Sequence, residues 1–387
     1  MPIIGARGSL SSGGFGEFRR AAGFPTYWVV TRGTPGGQNN TKVNKSSSIS
    51  TLAADSNTGA TTISSYSFST TRRFGTILAT GNVIFTDVSL STNGGASFSD
   101  IFNVNVIQST PFSSGQNGSF AYNPTAKRIS VAFTFPDKSG NFWGATTYNT
   151  ETGDYVNSSS GPFSFGSNIV VNQIVYVPNI SSVIMLGASA SSSTTASYQL
   201  FIPPSQSAGN NGSTSQFGVT FIKAGISASG NLIGFTPFEM REFTSTTPGD
   251  FSTYIYWGIV TGTQGISNAY RYLGFKYLPV NNQYAMLGWA TSSPTQLYFY
   301  KSSLGSPASF TGTAITLTLE QSVNTIFTGS IFEDTNGYIY LSIFVQYAST
   351  AETNSFTFLS INGGASFSMT NTTVSTQGPA VITRNLL

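Results

Sequence analysis

Cysteine and histidine are both absent from the 387 residues, and only 8% of the chain is charged, against roughly 25% in an average soluble domain. Without cysteine there is no disulfide, zinc–thiolate site, iron–sulfur cluster or thiol nucleophile. Without histidine the commonest general base and metal ligand are gone, and with them any Ser-His-Asp machinery. Seventeen Lys+Arg against 14 Asp+Glu leave a net charge of +3, too weak a field to hold a nucleic-acid backbone. Apolar runs such as Ile174 to Tyr176 or Val183 to Leu186 are short, far below the ~20 residues needed to cross a bilayer. Met1 to Arg7 shows no basic stretch leading into an apolar one, so no signal peptide is expected.

Helix signals are scarce too. No long segment repeats apolar residues at i, i+3 and i+4. Aromatic residues are plentiful instead, with 31 Phe and 18 Tyr among 41 Gly, a balance opposite to that of a disordered chain. Short β-branched and aromatic runs recur between Gly, Asn, Pro and Ser clusters: Tyr27 to Val30, Ile129 to Phe133, Val183 to Leu186, Tyr254 to Trp257 and Tyr338 to Leu341. These read as strands, and the chain as all-β.

The strands repeat. Phe120-Ala121-Tyr122-Asn123-Pro124 leads into Ile129 to Phe133, Val175-Tyr176-Val177-Pro178 into Val183 to Leu186, and Lys276-Tyr277-Leu278-Pro279 into Tyr284 to Leu287. The prolines are separated by 178 − 124 = 54 and 279 − 178 = 101 residues, one step and about two. Asn231 to Phe235 falls where the intervening copy belongs, and Gly81 to Phe85 and Gly337 to Tyr340 fit as the copies at either end. A second repeat is sharper: Leu90 to Ser99 recurs as Leu359 to Ser368 with one difference, Thr92 against Ile361. Its offset of 360 − 91 = 269 is close to five of the same steps. Such a period marks stacked or radial repeats, here about six units of 50 to 54 residues from about residue 50 onward.

Each copy of the second repeat is a hairpin turn in the making. Asn-Gly accepts the positive φ of a tight turn, so Gly94 and Gly363 are expected there. The Ser hydroxyl and Asn amide can bond local backbone, and Phe98 and Phe367 can fold back onto the sheet. Ser91, Asn93, Gly94, Gly95 and Phe98, with Ser360, Asn362, Gly363, Gly364 and Phe367, resemble the Asp-box of sialidase-like β-propellers, Ser-x-Asp-x-Gly-x-x-Trp/Phe. The departure is Asn where Asp is usual. A fainter copy runs from Tyr148 to Tyr155. The resemblance implies a β-propeller of about six four-stranded blades, seven being within reach of the count, with the box on the turn between the outer two strands. In that family the box is structural. Closure of such a ring requires the chain ends to meet, with Tyr27 to Val30 beside Val381 to Thr383. It also places the two boxes in neighbouring blades, at the first and last positions.

Residues 1–25 differ from the rest, and the propeller is assigned to 26–387. The segment is Gly/Ser-rich and carries Arg7, Phe15, Phe18, Arg19 and Arg20, with too little apolar surface to fold alone. It is similar to Gly-rich N-terminal segments of virion proteins of tailed phages, cyanophages among them, where the N-terminus docks to the particle. The five residues named are the expected docking contacts, Arg and aromatic side chains being common interface anchors.

The sialidase resemblance also raises glycoside hydrolysis, carried in that family by an arginine triad, a Tyr–Glu nucleophile pair and an Asp acid/base. The Arg-Ile-Pro signature that precedes the first box there is missing; the nearest segment is Arg72-Arg73-Phe74-Gly75. Asp87, Asp100, Asp137, Asp154 and Asp334 all fall in or beside turn-like segments, where Asp serves the backbone. Glu333 to Gly337 reads as a turn and not as a calcium loop. Trp28, Trp143, Trp257 and Trp289 read as blade packing. No catalytic residue, metal or cofactor is therefore expected. The expected function is that of a non-enzymatic virion structural protein: a tail or neck fibre, spike or decoration, assembled in the host cytoplasm. Its partners would be other virion proteins through the arm and a host-surface glycan or protein through the propeller, with homo-oligomers left open and no membrane insertion. The alternatives are a phage-borne glycan hydrolase or a lectin-like propeller on the same fold.

Overall fold

A computed structural model of the chain describes residues 27–32, 41–46, 61–63, 77–80, 82–86, 89–100, 119–137, 140–162, 169–189, 196–201, 208–213, 223–235, 240–248, 250–258, 270–290, 295–307, 310–317, 322–348, 353–373 and 381–384. The docking residues expected at Arg7, Phe15, Phe18, Arg19 and Arg20 lie outside them. The described residues are almost wholly strand and turn, and they form seven four-stranded antiparallel sheets.

Six of the sheets are contiguous in the chain. They are β4 (Ile77–Thr80) to β7 (Ser99–Asp100), β8 (Ser119–Asn123) to β11 (Tyr155–Pro162), and β12 (Ile169–Val177) to β15 (Ala208–Ser213). The other three are β16 (Lys223–Ile226) to β19 (Tyr254–Gly258), β20 (Tyr270–Leu278) to β23 (Phe310–Thr316), and β24 (Val323–Glu333) to β27 (Ser368–Thr373). The seventh sheet joins the two ends of the chain. Its first strand is β28 (Val381–Arg384), followed by β1 (Tyr27–Arg32), β2 (Thr41–Ser46) and β3 (Thr61–Ile63).

In each contiguous sheet the strands lie in chain order, and the first strand of one sheet lies beside the first strand of the next: β8 by β12, β12 by β16, β16 by β20, β20 by β24, β24 by β28, and β28 by β4. The sheets of β4–β7 and β8–β11 meet through Val83, Phe85, Leu90, Ile129 and Tyr148. First strands therefore surround an axis and fourth strands form the outer edge. The chain is a β-propeller.

Closure follows the expected pairing: Val30 opposes Val381, Val29 opposes Ile382, and Trp28 opposes Thr383, antiparallel. The sheets number seven where the repeat counted about six. The additional one is built from both chain ends and contains no first-to-second-strand turn, so the repeat could not register it. The six repeat copies mark the starts of β5 (Val83–Thr86), β9 (Arg128–Asp137), β13 (Ser182–Ser189), β17 (Leu232–Phe235), β21 (Gln283–Ala290) and β25 (Ile339–Tyr347), which are second strands in every case. Their spacing varies from 128 − 83 = 45 to 339 − 283 = 56 residues. The expectation that the two hairpins share neighbouring blades is corrected. They belong to the sheets β4–β7 and β24–β27, and the closing sheet stands between these.

Packing between blades holds the ring, because each sheet buries its faces only on its neighbours. Leu287, Leu297 and Phe299 of one blade join Ile331, Leu341 and Phe358 of the next in the largest core cluster. Ile233 and Met240 meet Tyr284, Met286 and Tyr300 of the following blade. Alternation inward and outward is visible in Gln296–Ser302, where Leu297, Phe299, Tyr300 and Ser302 are buried and the residues between are not. Among the described residues no helix is long and apolar enough to cross a membrane.

Candidate binding face

The turns between first and second strands and those between third and fourth strands share one face of the ring. Backbone bonds tie them together within a blade: Gly94 N donates to Asn82 O at 2.8 Å, and Gly305 N to Asn282 O at 2.7 Å. An asparagine occurs at every described first turn, Asn82, Asn123, Asn179, Asn231, Asn281 with Asn282, and Asn336. Five of these turns place a residue in the left-handed region: Lys127, Ser181, Gly230, Asn282 and Gly337. Short polar side chains and glycine tolerate that conformation best; Lys127 is the costly member.

The two Ser-x-Asn hairpins are third-to-fourth-strand turns. The Ser91 hydroxyl donates to Asn93 Oδ1 at 2.9 Å and accepts from Gly95 N at 2.9 Å. Asn93 Oδ1 also accepts from Ser97 N at 3.0 Å, while its Nδ2 donates to the Ser97 hydroxyl at 2.8 Å. Ser360, Asn362, Gly364 and Ser366 repeat every one of these bonds at 2.8 to 3.0 Å. Gly94, Gly95, Gly363 and Gly364 all have positive φ, from 64° to 81°. Phe367 packs edge-on against Phe299 of the preceding blade, 4.9 Å between centroids; Phe98 is half-buried. The fainter copy at Tyr148 to Tyr155 occupies the equivalent turn with different bonds, since Asn149 Oδ1 accepts from Glu151 N and Thr152 N only two and three residues on.

Polar links also cross between blades. Asn179 Nδ2 donates to Asn231 Oδ1 at 2.7 Å, and Asn231 Nδ2 donates to Glu242 Oε1 at 2.8 Å. Trp257 Nε1 reaches the other oxygen of Glu242 at 2.9 Å. Each oxygen of that buried carboxylate thus accepts from one donor. One blade further, Tyr284 accepts from Ala228 N through its hydroxyl at 3.0 Å; burial pushes this phenol up, and the Ala228 bond opposes that. Glu333 then accepts from Val280 N, Asn281 N and Asn281 Nδ2 of the preceding blade at 2.6 to 2.9 Å. Lys301 Nζ donates to Gly363 O at 3.1 Å.

The remaining described carboxylates serve turns. Asp334 Oδ1 accepts from Asn336 N and Tyr338 N, and Asp154 accepts from the Thr152 hydroxyl, as the sequence reading of both segments expected. Asp250 accepts from Ser252 and Ser245, whose bonds, Ser252 first, hold it below the usual carboxylate range. Glu151 pairs with Lys127 on the surface. Among the described residues no three His, Cys, Asp or Glu side chains come together as metal ligands. Of the tryptophans, Trp289 is buried and Trp257 packs beside the Tyr284–Tyr300 cluster.

Between these bonds the face exposes apolar tips: Val280, Leu304 and Ile361 are 55%, 72% and 67% exposed. The sequence reading missed the Glu242 network. Its signal was the Asn179, Asn231, Asn281 series, 52 and 50 residues apart, which belongs to the same period as the prolines.

No protein-family model matches the chain, and no curated protein matches it. Solved structures align with it at low identity. The catalytic domain of a GH62 α-L-arabinofuranosidase from Coprinopsis cinerea is 11% identical, covering 68% of this chain and 69% of that one with a TM-score of 0.36. A periplasmic gluconolactonase from Pseudomonas aeruginosa is 8% identical over 81% of this chain and 99% of that one, TM-score 0.44. A dihydro-heme d1 dehydrogenase is 9% identical over 96% and 78%, TM-score 0.45. The architecture assigned above rests on the sheet topology.

Proposed function

We propose that this chain is a non-enzymatic binding propeller, a structural protein of a tailed-phage virion. In this reading residues 1–25 anchor it, and the turn-bearing face is offered to a host receptor or to the particle. The observation that carries the reading is the use of the carboxylates. All six whose side chains are described, Glu151, Asp154, Glu242, Asp250, Glu333 and Asp334, accept bonds from turns, from neighbouring blades or from a surface lysine. A rim of neutral amides and hydroxyls with exposed Val280, Leu304 and Ile361 suits contact with another surface. The resemblance of the Ser-x-Asn hairpins to the Asp-box supports the fold part of the reading, since a fold by itself carries no activity.

Glycan hydrolysis on the same fold is the second reading. It would draw its acid and base from carboxylates whose side chains lie outside the described ones, such as Asp87, Asp100 or Asp137. Incubating the full chain with isolated host-surface glycans, with retention and released reducing ends measured together, separates the two. Retention without release is the expected result; release would install the hydrolase. A chain lacking residues 1–25 should fold yet fail to enter particles, and normal incorporation would remove the anchoring role.

A further inference from the structure

Asn-Gly pairs occur at Asn93-Gly94, Asn117-Gly118, Asn211-Gly212, Asn336-Gly337 and Asn362-Gly363. The pair carries an intrinsic reaction, in which the glycine N attacks the side-chain carbonyl carbon of the asparagine, because no Cβ on the glycine crowds its N. Attack requires the two atoms to come within about 3–3.5 Å and aligned, so a side chain that is held reacts slowly and a free one fast. The side chains of Asn93, Asn336 and Asn362 are described, and all three residues are exposed. Access of water therefore does not separate them. Their hydrogen bonds do.

Asn93 and Asn362 are tied down through both atoms of the amide. Asn93 Oδ1 accepts from the Ser91 hydroxyl and from Ser97 N, and its Nδ2 donates to the Ser97 hydroxyl. Asn362 makes the same three bonds with Ser360 and Ser366. Gly94 N is in addition held by Asn82 O at 2.8 Å. Asn336 differs. Its backbone N donates to Asp334 Oδ1 at 2.8 Å, which shapes the turn, but among the described residues its side-chain amide has no hydrogen bond. Only the Gly337 N–H, donated to Asp334 O at 3.1 Å, has to be released before the ring can close.

We propose that Asn336 is a site of spontaneous deamidation, left open by the fold while Asn93 and Asn362 are protected. Gly337 N bonds to Asn336 Cγ and loses its proton, the Cγ–Nδ2 bond breaks, and Nδ2 leaves with that proton as ammonia. Water then opens the succinimide at Cγ, giving an aspartyl residue, or at the backbone carbonyl carbon, giving an isoaspartyl residue with a main chain longer by a carbon. Water is the sole co-reactant. The new carboxylate stands close in the chain to Glu333 and Asp334. The site also lies on a seam between blades, because Asn281 Nδ2 donates across it to Gly337 O at 2.8 Å and to Glu333 Oε1 at 2.6 Å. Lengthening the main chain between residues 336 and 337 moves that carbonyl, so the modification acts on the contact between the blades of β20–β23 and β24–β27.

Incubation of the full chain in mildly alkaline buffer, followed by proteolysis, mass mapping and isoaspartate labelling with a methyltransferase, tests this. Closure at Asn362 or Asn93 breaks at least two more bonds than closure at Asn336. At the net worth of a hydrogen bond each, that is roughly tenfold or more in rate. The Asn336 peptide should therefore gain the deamidated mass at least about tenfold faster than the Asn93 and Asn362 peptides. In urea the preference should vanish, since each pair then follows a β-branched residue, Thr92, Thr335 or Ile361, in an unfolded chain. Asn336→Gln, whose longer side chain needs a larger ring, should remove the reaction at that site and leave the other two rates unchanged. The proposal is overturned if Asn336 stays intact in the folded chain while it reacts in urea, if Asn93 or Asn362 reacts as fast as Asn336 in the folded chain, or if the preference for Asn336 persists in urea.

Discussion

The hairpins around Asn93 and Asn362 differ by one residue in ten, yet they are held to the rest of the ring in different ways. Inside, they are the same object: the Ser hydroxyl, the Asn amide and two glycines at positive φ make matching bonds. Outside, the later hairpin is locked to the preceding blade. Phe367 lies on Phe299, Lys301 donates to Gly363 O, and a Cβ on Gly364 would sit 2.5 Å from Phe299 Cε1. The earlier hairpin instead meets the following blade through the residue in which the two differ. A Cβ on Gly153 would lie 2.5 Å from Thr92 Cγ2, while the counterpart Ile361 is exposed. A short local motif thus makes its own turn, and the neighbouring blade decides what the turn is worth.

The largest break in this comparison should come from Gly364→Ala. It combines positive φ with a clash against a buried aromatic ring, and a loss of about 3 kcal/mol or more is expected. Gly153→Ala has the same φ problem, but the exposed Thr92 methyl can yield, so about 1–2 kcal/mol is expected there. Urea unfolding of the two variants side by side checks the order, and equal losses would mean that the Phe299 wall is no constraint. Next in size is Phe367→Ala, which removes a half-buried ring from Phe299 and should cost roughly half the 3–5 kcal/mol of a fully buried Phe. Its thermal midpoint should fall without a change in the Ser360–Asn362 turn, readable as unchanged amide exchange at Gly364.

Smaller effects sharpen the similarity. Ser91→Ala and Ser360→Ala each remove an acceptor for a buried glycine N–H and a donor to Asn Oδ1. Each should cost about 1–2 kcal/mol, and the two losses should agree within about 0.5 kcal/mol in parallel urea titrations. A clear inequality would show that blade contacts reach into the turn itself. The smallest change is expected for Asn93→Asp and Asn362→Asp. The Oδ1 bonds to Ser97 N and Ser366 N survive, and the partner hydroxyl can turn to donate, so both should stay within about 0.5 kcal/mol of the unaltered chain at neutral pH.

Much of the ring was legible in the sequence. The aromatic-x-Pro turn and the β-branched run after it mark second strands because a turn and the strand it feeds are adjacent in sequence. Tyr27 to Val30 could be matched with Val381 to Thr383 because a ring with exposed end strands must pair them. The seventh sheet was undercounted for the same reason that the others were found: its first and second strands are joined by no turn. The Asn231–Glu242–Trp257 network and the bonds of Glu333 to Val280 and Asn281 were not legible. Each depends on groups in different strands or blades reaching bonding distance, and no local pattern reports that.

By itself, then, the sequence determined the all-β class, the places of the turns and the internal chemistry of the two hairpins, because these depend on residues a few positions apart and on backbone preferences that travel with them. Only the tertiary structure decided the number of sheets, the separation of the two hairpins by the closing sheet, and which glycines face a wall. It also decided that Glu333 of one blade accepts from Val280 N and Asn281 N of the blade before it. Those features are set by how seven twisted sheets share their faces around one axis, and that packing is a property of the closed ring, not of any segment within it.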